Sequence, residues 1–380
     1  MKKRQLTSLQ MITVRWWNAT AYYAIELARA LQSIGNPTII VSQPGSPPFI
    51  RAQEAALPVN EDIDPATVNP VRFLLNIHRL RKLINESNID VLVPHRAEDH
   101  LLAGLATGQG LRRPVIRTIG DVRSPKNNPI NRWLHLKKTD CIILSCQKNK
   151  ERYQEVWPIP DDRCEVILAP VDTGYFSPDH PSSVREELGI PTDETVFGMV
   201  ARLSPVKDHA TFIRAAGQIF RKTGRGHFLI SGEEVEVSVQ QLKEMAKDHG
   251  VADRLHFLPR HPDVREVIQA IDVGIVASKG SEAICRVAGE FFSMKKPVIA
   301  TTVNVLPEMV RDGHNGFLFE PGDETALARQ MELLLNDTSL RKTMGDNARN
   351  FAINTLGIPV FLKKTISVYS RVLENQKETK

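Results

Sequence analysis

The sequence lacks the patterns that mark several classes of protein. Its cysteines form no C-x-x-C pair and no cluster with histidine, so we expect free buried thiols rather than a disulfide framework or a zinc site; they are Cys141, Cys146, Cys164 and Cys285. No apolar run approaches the roughly 20 residues that span a bilayer. The basic opening, MKKRQLTSLQMITV, has no continuous apolar segment and predicts no export signal. A Walker sequence and a Ser/His/Asp triad context are also absent.

The positive charge of the chain is concentrated in its first half. The 380 residues suit two domains of roughly 150–200 residues each. Residues 1–170 hold 23 Lys and Arg against 16 Asp and Glu, whereas the remainder holds 26 against 28. This basic half indicates an anionic partner such as a membrane surface or a phosphorylated acceptor, or else a solvated face with no partner. We expect no nucleic-acid partner.

Strand-like and helix-like segments alternate along the whole chain. Apolar runs such as PTIIVS, DVLVPH, TVFGMV and DVGIVAS do not alternate with polar residues, which is typical of strands buried on both faces of a parallel sheet. The rhythm breaks in the proline-rich CEVILAPVDTGYFSPDHP, which predicts a linker. We therefore predict two doubly wound α/β domains, residues 1–170 and 171–358, with a final helix over 359–380 that packs back on the first.

One predicted helix, Val71–Ile84, combines cations with apolar residues. Arg72, Arg79, Arg81 and Lys82 favour an anionic membrane surface. The apolar residues of this helix are expected to face the core; they are Phe73, Leu74, Ile77 and Leu80. The helix therefore predicts a peripheral contact made by charge.

Charged side chains follow two predicted strands of the second half. Arg202 and Lys207 come after TVFGMV, and two cations in one strand-end loop suit a diphosphate. Glu282 and Glu290 come after DVGIVAS, and eight residues of helix would separate them by about 12 Å. One glutamate could then hold a sugar and the other a ribose. The alternative is that both are solvated acids in the first turns of a helix, favoured by its dipole.

Four stretches of the second half match a known family in order and spacing. They are GMVARLSPVKDHATFIRAA, VADRLHFLPRHPDVREVIQAIDVGIVAS, SEAICRVAGEFFSMKKPVIATT and LPEMVRDGHNGFLFEPGD. On these motifs residues 195–322 resemble the retaining glycosyltransferases of family 4, which have the GT-B fold, two Rossmann-like domains facing a cleft. The first half resembles the family mainly in its alternation of strand-like and helix-like segments.

The resemblance implies a role for each charged residue at the strand ends. Arg202 and Lys207 match the basic pair that binds the donor diphosphate. Glu282 matches the glutamate that faces the transferred sugar, and Glu290 matches the one that holds the nucleotide ribose.

Two further positions match the family. Leu258, Pro259 and Arg260 correspond to the loop whose backbone reads the base. His95, after the strand DVLVP, matches a histidine beside the reacting sugar, although a lone histidine can equally be structural.

The sequence also departs from the family at several loops. The first loop usually has two glycines, but here it reads VRWWNAT, so Arg15, Trp16, Trp17 and Asn18 suggest a different acceptor or an aromatic platform for a sugar. The alternative is that both tryptophans pack against the linker. The family's EGFG reads EAIC, and a glycine pair reads Asn304-Val305. These changes affect donor-sugar contacts more than nucleotide contacts.

The resemblance implies a retaining glycosyltransferase that moves a sugar from a UDP-, GDP- or ADP-sugar to a hydroxyl of a glycan or lipid-linked acceptor. The donor would lie on the second domain and the acceptor on the first. No metal or other cofactor is implied. The expected setting is cytoplasmic, at the inner membrane face, in lipopolysaccharide or polysaccharide assembly. Two alternatives are a GT-B epimerase or phosphorylase and a non-catalytic protein that binds nucleotide sugars.

Overall fold

The structure is a computed structural model, and it describes residues 5–108 and 110–378. The first four residues of the basic opening therefore lie outside the described part of the chain. The chain forms two compact units, Met1–Pro170 with Ile358–Lys380 and Val171–Gly357.

Across its described residues, the first unit alternates seven strands with six helices before the chain leaves it. Its strands are β1 Ser8–Ile12, β2 Thr38–Ser42, β3 Val59–Asn60, β4 Val91–Pro94, β5 Ile116–Ile119, β6 Cys141–Leu144 and β7 Cys164–Val166. Its helices are α1 Ala19–Ser33, α2 Pro47–Glu54, α3 Pro70–Glu86, α4 Ala97–Ala106, α5 Pro129–Trp133 and α6 Gln147–Val156, with a π-helical turn over Leu134–Lys138 and a 3₁₀ turn over Asp161–Arg163.

The second unit repeats the alternation. Its strands are β8 Val196–Val200, β9 His227–Ser231, β10 Leu255–Leu258, β11 Val273–Val276, β12 Val298–Thr301 and β13 Gly316–Phe319. Its helices are α7 Val184–Glu187, α8 His209–Thr223, α9 Val239–Asp248, α10 Val264–Ala270, α11 Arg286–Ser293, α12 Leu306–Met309, α13 Glu324–Asn336 and α14 Thr338–Phe351. Short turns lie over Pro205–Lys207, Ala252–Arg254 and Ala352–Leu356.

The last helix, α15 Ile358–Glu378, belongs to the first unit. Phe361 meets Tyr23 of α1 edge to face, with ring centroids 5.1 Å apart. Tyr369 is fully buried, and Gln10 of β1 donates to its hydroxyl at 3.5 Å. This helix therefore completes the core that covers β1.

Both units contain parallel sheets whose strand order reverses at one point. In the first unit the orders are β3-β2-β1-β4 and β5-β6-β7, and a parallel bridge between Leu92 and Val115 joins the two sheets. In the second unit the order is β10-β9-β8-β11-β12-β13. The reversals fall between β1 and β4 and between β8 and β11. Because ligands of such sheets bind where the order reverses, these strand ends locate the candidate sites.

The apolar runs form the buried strands that the sequence predicts. Strands β4, β6, β11 and β12 are buried along their whole lengths, and helices cover them with apolar faces. The doubly wound α/β prediction is confirmed. All four cysteines are free and buried, as predicted. Within the described ranges, no helix has both the length and the apolarity needed to cross a membrane.

Several elements differ from the sequence prediction. β7 lies inside the stretch predicted as the linker. The helical pattern predicts that Leu74 faces the core, but two thirds of this side chain is exposed. Phe73 and Ile77 are half-buried against the core, and Leu80 is fully buried. The helix α3 thus presents apolar side chains on its outer surface as well as on its inner one.

Candidate functional site

The loop after β8 carries the two cations predicted to bind a diphosphate. Arg202 is exposed, and Lys207 lies in the 3₁₀ turn before α8. Gly232 allows the next loop to approach, since a Cβ at this position would lie 1.9 Å from the carbonyl oxygen of Ala201. The backbone of this loop therefore packs closely against the loop that contains Gly232, while the Arg202 side chain faces solvent.

The start of α8 is capped by a side chain that carries negative charge. Asp208, at φ +54°, caps this helix, and its carboxylate accepts from the Thr211 hydroxyl at 2.6 Å. Lys279 also pairs with Asp208 at 3.0 Å. The carboxylate of Asp208 therefore already occupies the amino-terminal end of α8. By contrast, Cys285 at the N-cap of α11 makes no side-chain capping hydrogen bond.

Glu282 is buried in the loop after β11 and is not a solvated helical acid. Its side chain forms an ion pair with Lys207 and accepts from the Ser278 hydroxyl at 2.7 Å. Its backbone has φ +38°, and its carbonyl accepts from the Val305 amide at 3.1 Å. Asn304, which replaces a family glycine, has φ +50°, a region that asparagine tolerates. The loop thus keeps its left-handed turns without the glycines.

Glu290 lies within α11 and is also buried. Arg286, one turn earlier, donates from Nη2 to its Oε1 at 3.1 Å. The helix begins only at Arg286, so the calculation of about 12 Å along eight helical residues does not apply. The interpretation of both glutamates as solvated first-turn acids is wrong, because each is buried and paired with a cation.

The loop predicted to read a base is partly engaged within its own domain. Gly232 donates its amide to the Leu258 carbonyl at 3.1 Å, and the Ser231 hydroxyl donates to the Pro259 carbonyl at 3.3 Å. Pro259 and Arg260 are exposed. This loop is therefore held against the end of β9 and presents Arg260 outward.

In the first unit, two residues of the loop after β1 make structural contacts and two are exposed. Asn18 caps α1 by accepting from the Ala21 amide at 3.0 Å. Trp17 packs on the cluster between α1 and α2, with Arg51 5.8 Å above its ring, which differs from the predicted packing against the linker. Arg15 and Trp16 are exposed. Of the four residues singled out in this loop, these two are the exposed ones.

His95 is buried at the end of β4. Its Nε2 donates to Oε1 of Gln10 at 2.9 Å, while its Nδ1 has no partner among the described residues. Burial, assisted by the charge of Arg117, lowers the pKa of His95 to about 3. The imidazole is therefore neutral at physiological pH, and it could accept a hydrogen bond at Nδ1 but could not act as a resident cation.

Sequence reasoning missed two residues that position these loops. Asp99 of α4 is fully buried and accepts from the amides of Thr13 and Arg96, each at 3.0 Å. Burial raises the pKa of Asp99 to about 7. Ser278 holds Glu282, as described above. A carboxylate a few residues after a strand end is a capping pattern that could have identified Asp99, whereas nothing in the sequence distinguishes Ser278.

One group of side chains has the spacing of metal ligands within the described part of the chain. It comprises His180, Asp263 and Glu266, whose ligand atoms lie within 4.8 Å of one another. Arg265 Nε contacts both carboxylate oxygens of Asp263, at 2.9 and 3.0 Å. Because a guanidinium already neutralises this carboxylate, the group fits a cation poorly.

Sequence models of two families match adjoining parts of the chain. The model described as "Glycosyltransferase Family 4" matches residues 20–175, and that described as "Glycosyl transferases group 1" matches residues 182–351. The putative glycosyltransferase EpsD of Bacillus subtilis is 30% identical over 292 residues, which cover 72% of this chain and 75% of that protein.

A further relative and a solved structure extend the comparison. The D-inositol 3-phosphate glycosyltransferase of Nocardia farcinica is 30% identical over 60% of this chain, and the match spans 51% of that relative, about half of its length. The crystal structure of Anabaena Alr3699/HepE in complex with UDP superimposes with a TM-score of 0.83 at 19% identity, covering 97% of this chain and all of that one. The overall similarity shows the fold.

Proposed function

The chain belongs to the GT-B glycosyltransferases that combine a family 4 domain with a group 1 domain, and we propose that it transfers a sugar, with retention, from a nucleotide-diphosphate donor to a hydroxyl acceptor. The observation that carries the proposal is the set of charged side chains that follow the carboxyl ends of β8 and β11. Two buried glutamates, Glu282 and Glu290, each pair there with a cation. The Anabaena protein, similar in fold, is described in complex with UDP, which supports a nucleotide ligand.

In this proposal, the candidate site residues of the second unit each bind a different part of the donor. Arg202 and Lys207 bind the diphosphate, and the amides at the start of α11 add donors to it. Glu290 accepts from the ribose hydroxyls. The loop containing Leu258, Pro259 and Arg260 lies against the base, and Glu282 accepts from the sugar. These cations would stabilise the leaving diphosphate without a metal ion.

The chemical step is a displacement on one face of the sugar. The acceptor oxygen forms its bond to the anomeric carbon on the side from which the diphosphate leaves, so the configuration is retained. The proton of the acceptor passes to an oxygen of the leaving phosphate, and the bonding pair of the broken bond stays on that phosphate. His95 is neutral, and its Nδ1, which has no partner within residues 5–108 and 110–378, can accept a hydrogen bond from a sugar hydroxyl.

Titration with UDP-, GDP- and ADP-sugars tests this proposal. We expect one of the three donors to bind and to lose its sugar to an added hydroxyl acceptor, and NMR of the product should show the anomeric configuration of the donor. Turnover with phosphate or without an acceptor would indicate a phosphorylase or an epimerase. Binding of the nucleotide sugar with no turnover would indicate a non-catalytic protein.

Removing either cation from the loop after β8 should weaken binding of the donor. We expect Arg202→Ala and Lys207→Ala each to lower affinity for a nucleoside diphosphate about tenfold, because each removes a charge-assisted hydrogen bond. Affinity for the monophosphate should fall less. Isothermal titration calorimetry with both ligands measures the difference.

An exposed lysine elsewhere in the second unit provides the control for this prediction. Lys222 of α8 is exposed and pairs with Glu332, so Lys222→Ala should leave both affinities unchanged. Equal losses for monophosphate and diphosphate in the two test variants would contradict a diphosphate clamp.

We further propose that the protein acts in the cytoplasm, at the inner face of a bacterial membrane, in assembly of lipopolysaccharide or another polysaccharide. The basic character of residues 1–170 supports this setting. Helix α3 adds an exposed cation, Arg72, beside the exposed Val71, Leu74 and Leu75. An anionic bilayer could contact both kinds of side chain.

Anionic vesicles should bind the protein more tightly than neutral vesicles at low salt. A surface cation contributes about 1 kcal/mol, so Arg72→Gln should weaken binding about fivefold. The control Arg29→Gln removes an exposed cation of α1. A flotation assay that recovers no protein with anionic vesicles at low salt would refute the membrane contact.

A further inference from the structure

A large cavity opens beside the loop after β1 in the first unit. Its volume is about 720 Å³, within the range of about 300–1,000 Å³ typical of small-molecule sites. It lies where the strand order reverses between β1 and β4, and four segments line it: residues 13–18, residues 65–70, the first turn of α3 and the start of α4. The cavity therefore occupies the position at which sheets of this topology bind ligands.

The cavity and its rim are mostly apolar. Phe73 and Leu101, both half-buried, lie within the lining, and Val68, Leu74 and Trp16 line it while remaining 93%, 67% and 63% exposed. Other exposed large apolar residues of this unit include the separate Ile34 and Ile130. Large apolar side chains clustered around a cavity, without a core to cover them, mark a binding surface.

Cations lie in the same lining. Arg15 is exposed, and Arg96 contributes a guanidinium whose Nη1 contacts Asp121 at 3.3 Å. The Nε of Arg96 is buried and has no partner among the described residues. Glu98, exposed in the first turn of α4, is the acidic residue of the lining. The two arginines lie next to the strand ends, so an anion bound in the cavity would be close to two guanidinium groups.

We propose that this cavity binds a single anionic amphiphile, with its apolar chain against Phe73, Leu74 and Val68 and its anionic head group at Arg15 and Arg96. This inference rests on the proposed function, because it identifies the acceptor class as a lipid phosphate or diphosphate that carries the receiving hydroxyl. Transfer of an aliphatic chain from water to this apolar lining is favourable in free energy. The hydroxyls of a glycan would lose their water here and find few partners.

The concave shape distinguishes this ligand from a bilayer. A bilayer surface can cover the exposed Val71 and Leu75 on α3, but it cannot fill a cavity that reaches the half-buried Phe73 and Leu101. One chain leaving the bilayer can fill it. The structure thus assigns the cavity to the acceptor molecule itself.

Binding of dodecyl phosphate, below the concentration at which it forms micelles, tests the proposal. Calorimetry should show that dodecyl phosphate binds at least about tenfold more tightly than butyl phosphate, which has the same head group and less apolar surface. It should also bind more tightly than dodecyltrimethylammonium, whose head group is cationic. Quenching by bromododecyl phosphate should depend on Trp16 and should be largely lost in Trp16→Phe.

Paired variants of exposed residues locate the site without disturbing the core. The double variant Val68→Ser/Leu74→Ser should lower affinity for dodecyl phosphate at least about tenfold. The control Ile34→Ser/Ile130→Ser changes two exposed apolar residues of the same unit and should retain the affinity. Thermal unfolding of both double variants should match that of the unchanged protein.

The outcomes separate this inference from the proposed function. Equal affinities for dodecyl and butyl phosphate, or unchanged affinity in Val68→Ser/Leu74→Ser, would overturn the inference. Binding to anionic vesicles without binding to monomeric dodecyl phosphate would overturn it in favour of a membrane-contacting face. Sugar transfer to a short acceptor with no preference for a chain would retain the function and reject the amphiphile. Binding of dodecyl phosphate by a protein that transfers no sugar would retain the site and reject the function.

Discussion

The variant Glu282→Gln should lose roughly tenfold to a thousandfold in kcat, about 1.4–4 kcal/mol, while its affinity for a free nucleoside diphosphate changes little. In the proposed reaction, positive charge develops at the anomeric carbon as the diphosphate leaves. A carboxylate beside the sugar stabilises that charge more in the transition state than in the ground state. Glutamine keeps the shape of the side chain and removes its charge, so the loss should appear in kcat more than in KM.

The contacts of Glu282 set the controls for this experiment. Lys207 pairs with this carboxylate, so the kcat of Lys207→Ala/Glu282→Gln should show whether the two residues act as a unit. Glu320→Gln changes an exposed carboxylate of the same unit and should turn over normally. Normal turnover by Glu282→Gln would refute its assignment to the sugar. So would a loss of free-nucleotide affinity as large as that of Glu290→Ala.

The variant Glu290→Ala should bind the nucleotide sugar ten to a hundred times more weakly, at about 1.4 kcal/mol for each tenfold. Its carboxylate lies buried within α11 and pairs with Arg286 at 3.1 Å. In the proposed site it accepts hydrogen bonds from two ribose hydroxyls, and the ionised acceptor makes these bonds strong. Calorimetry on the folded variant measures the loss.

A nucleotide without ribose hydroxyls makes this prediction specific. The 2′,3′-dideoxynucleoside diphosphate should bind the unchanged protein about as weakly as the ordinary nucleotide binds Glu290→Ala. The dideoxynucleotide should also bind the unchanged protein and Glu290→Ala with similar affinity, because the hydrogen bonds between Glu290 and the ribose hydroxyls are missing in both complexes. Glu290→Gln preserves the volume next to Arg286 and controls for packing. If Glu290→Ala bound both nucleotides like the unchanged protein, the assignment to the ribose would be wrong.

The sequence predicts the sheets and the loops of the second unit because their signals are local. Uninterrupted apolar runs mark strands buried on two faces, and a charged loop after such a run must lie at a strand end. The sequence alone therefore places Arg202, Lys207 and Glu282 at the carboxyl ends of strands. It does not predict the burial of Glu282 or its pairing with Lys207, because both depend on how loops 75 residues apart in the chain meet.

The outer surface of α3 shows why other features escape sequence reasoning. A helical period places Leu74 near Ile77, three positions further on, and the ordinary expectation is that both face the core. Only the packing of the sheet decides how wide the buried stripe is. Leu74 falls outside it and lines the cavity instead. Likewise, Trp16 and Trp17 are neighbours in sequence, but Trp17 packs on a cluster while Trp16 faces solvent.

The return of α15 to the first unit makes the second unit an insertion within the first. During synthesis the segment up to Pro170 emerges early, yet Tyr23 and Gln10 must wait for Phe361 and Tyr369 to cover them. The second unit, continuous in the chain, has all its strands before that helix is made. Domains generally fold from the amino-terminal one onward as the ribosome advances, but here the order of completion is reversed. Until α15 is made, the amino-terminal unit therefore leaves uncovered the apolar surface on which Phe361 and Tyr369 pack.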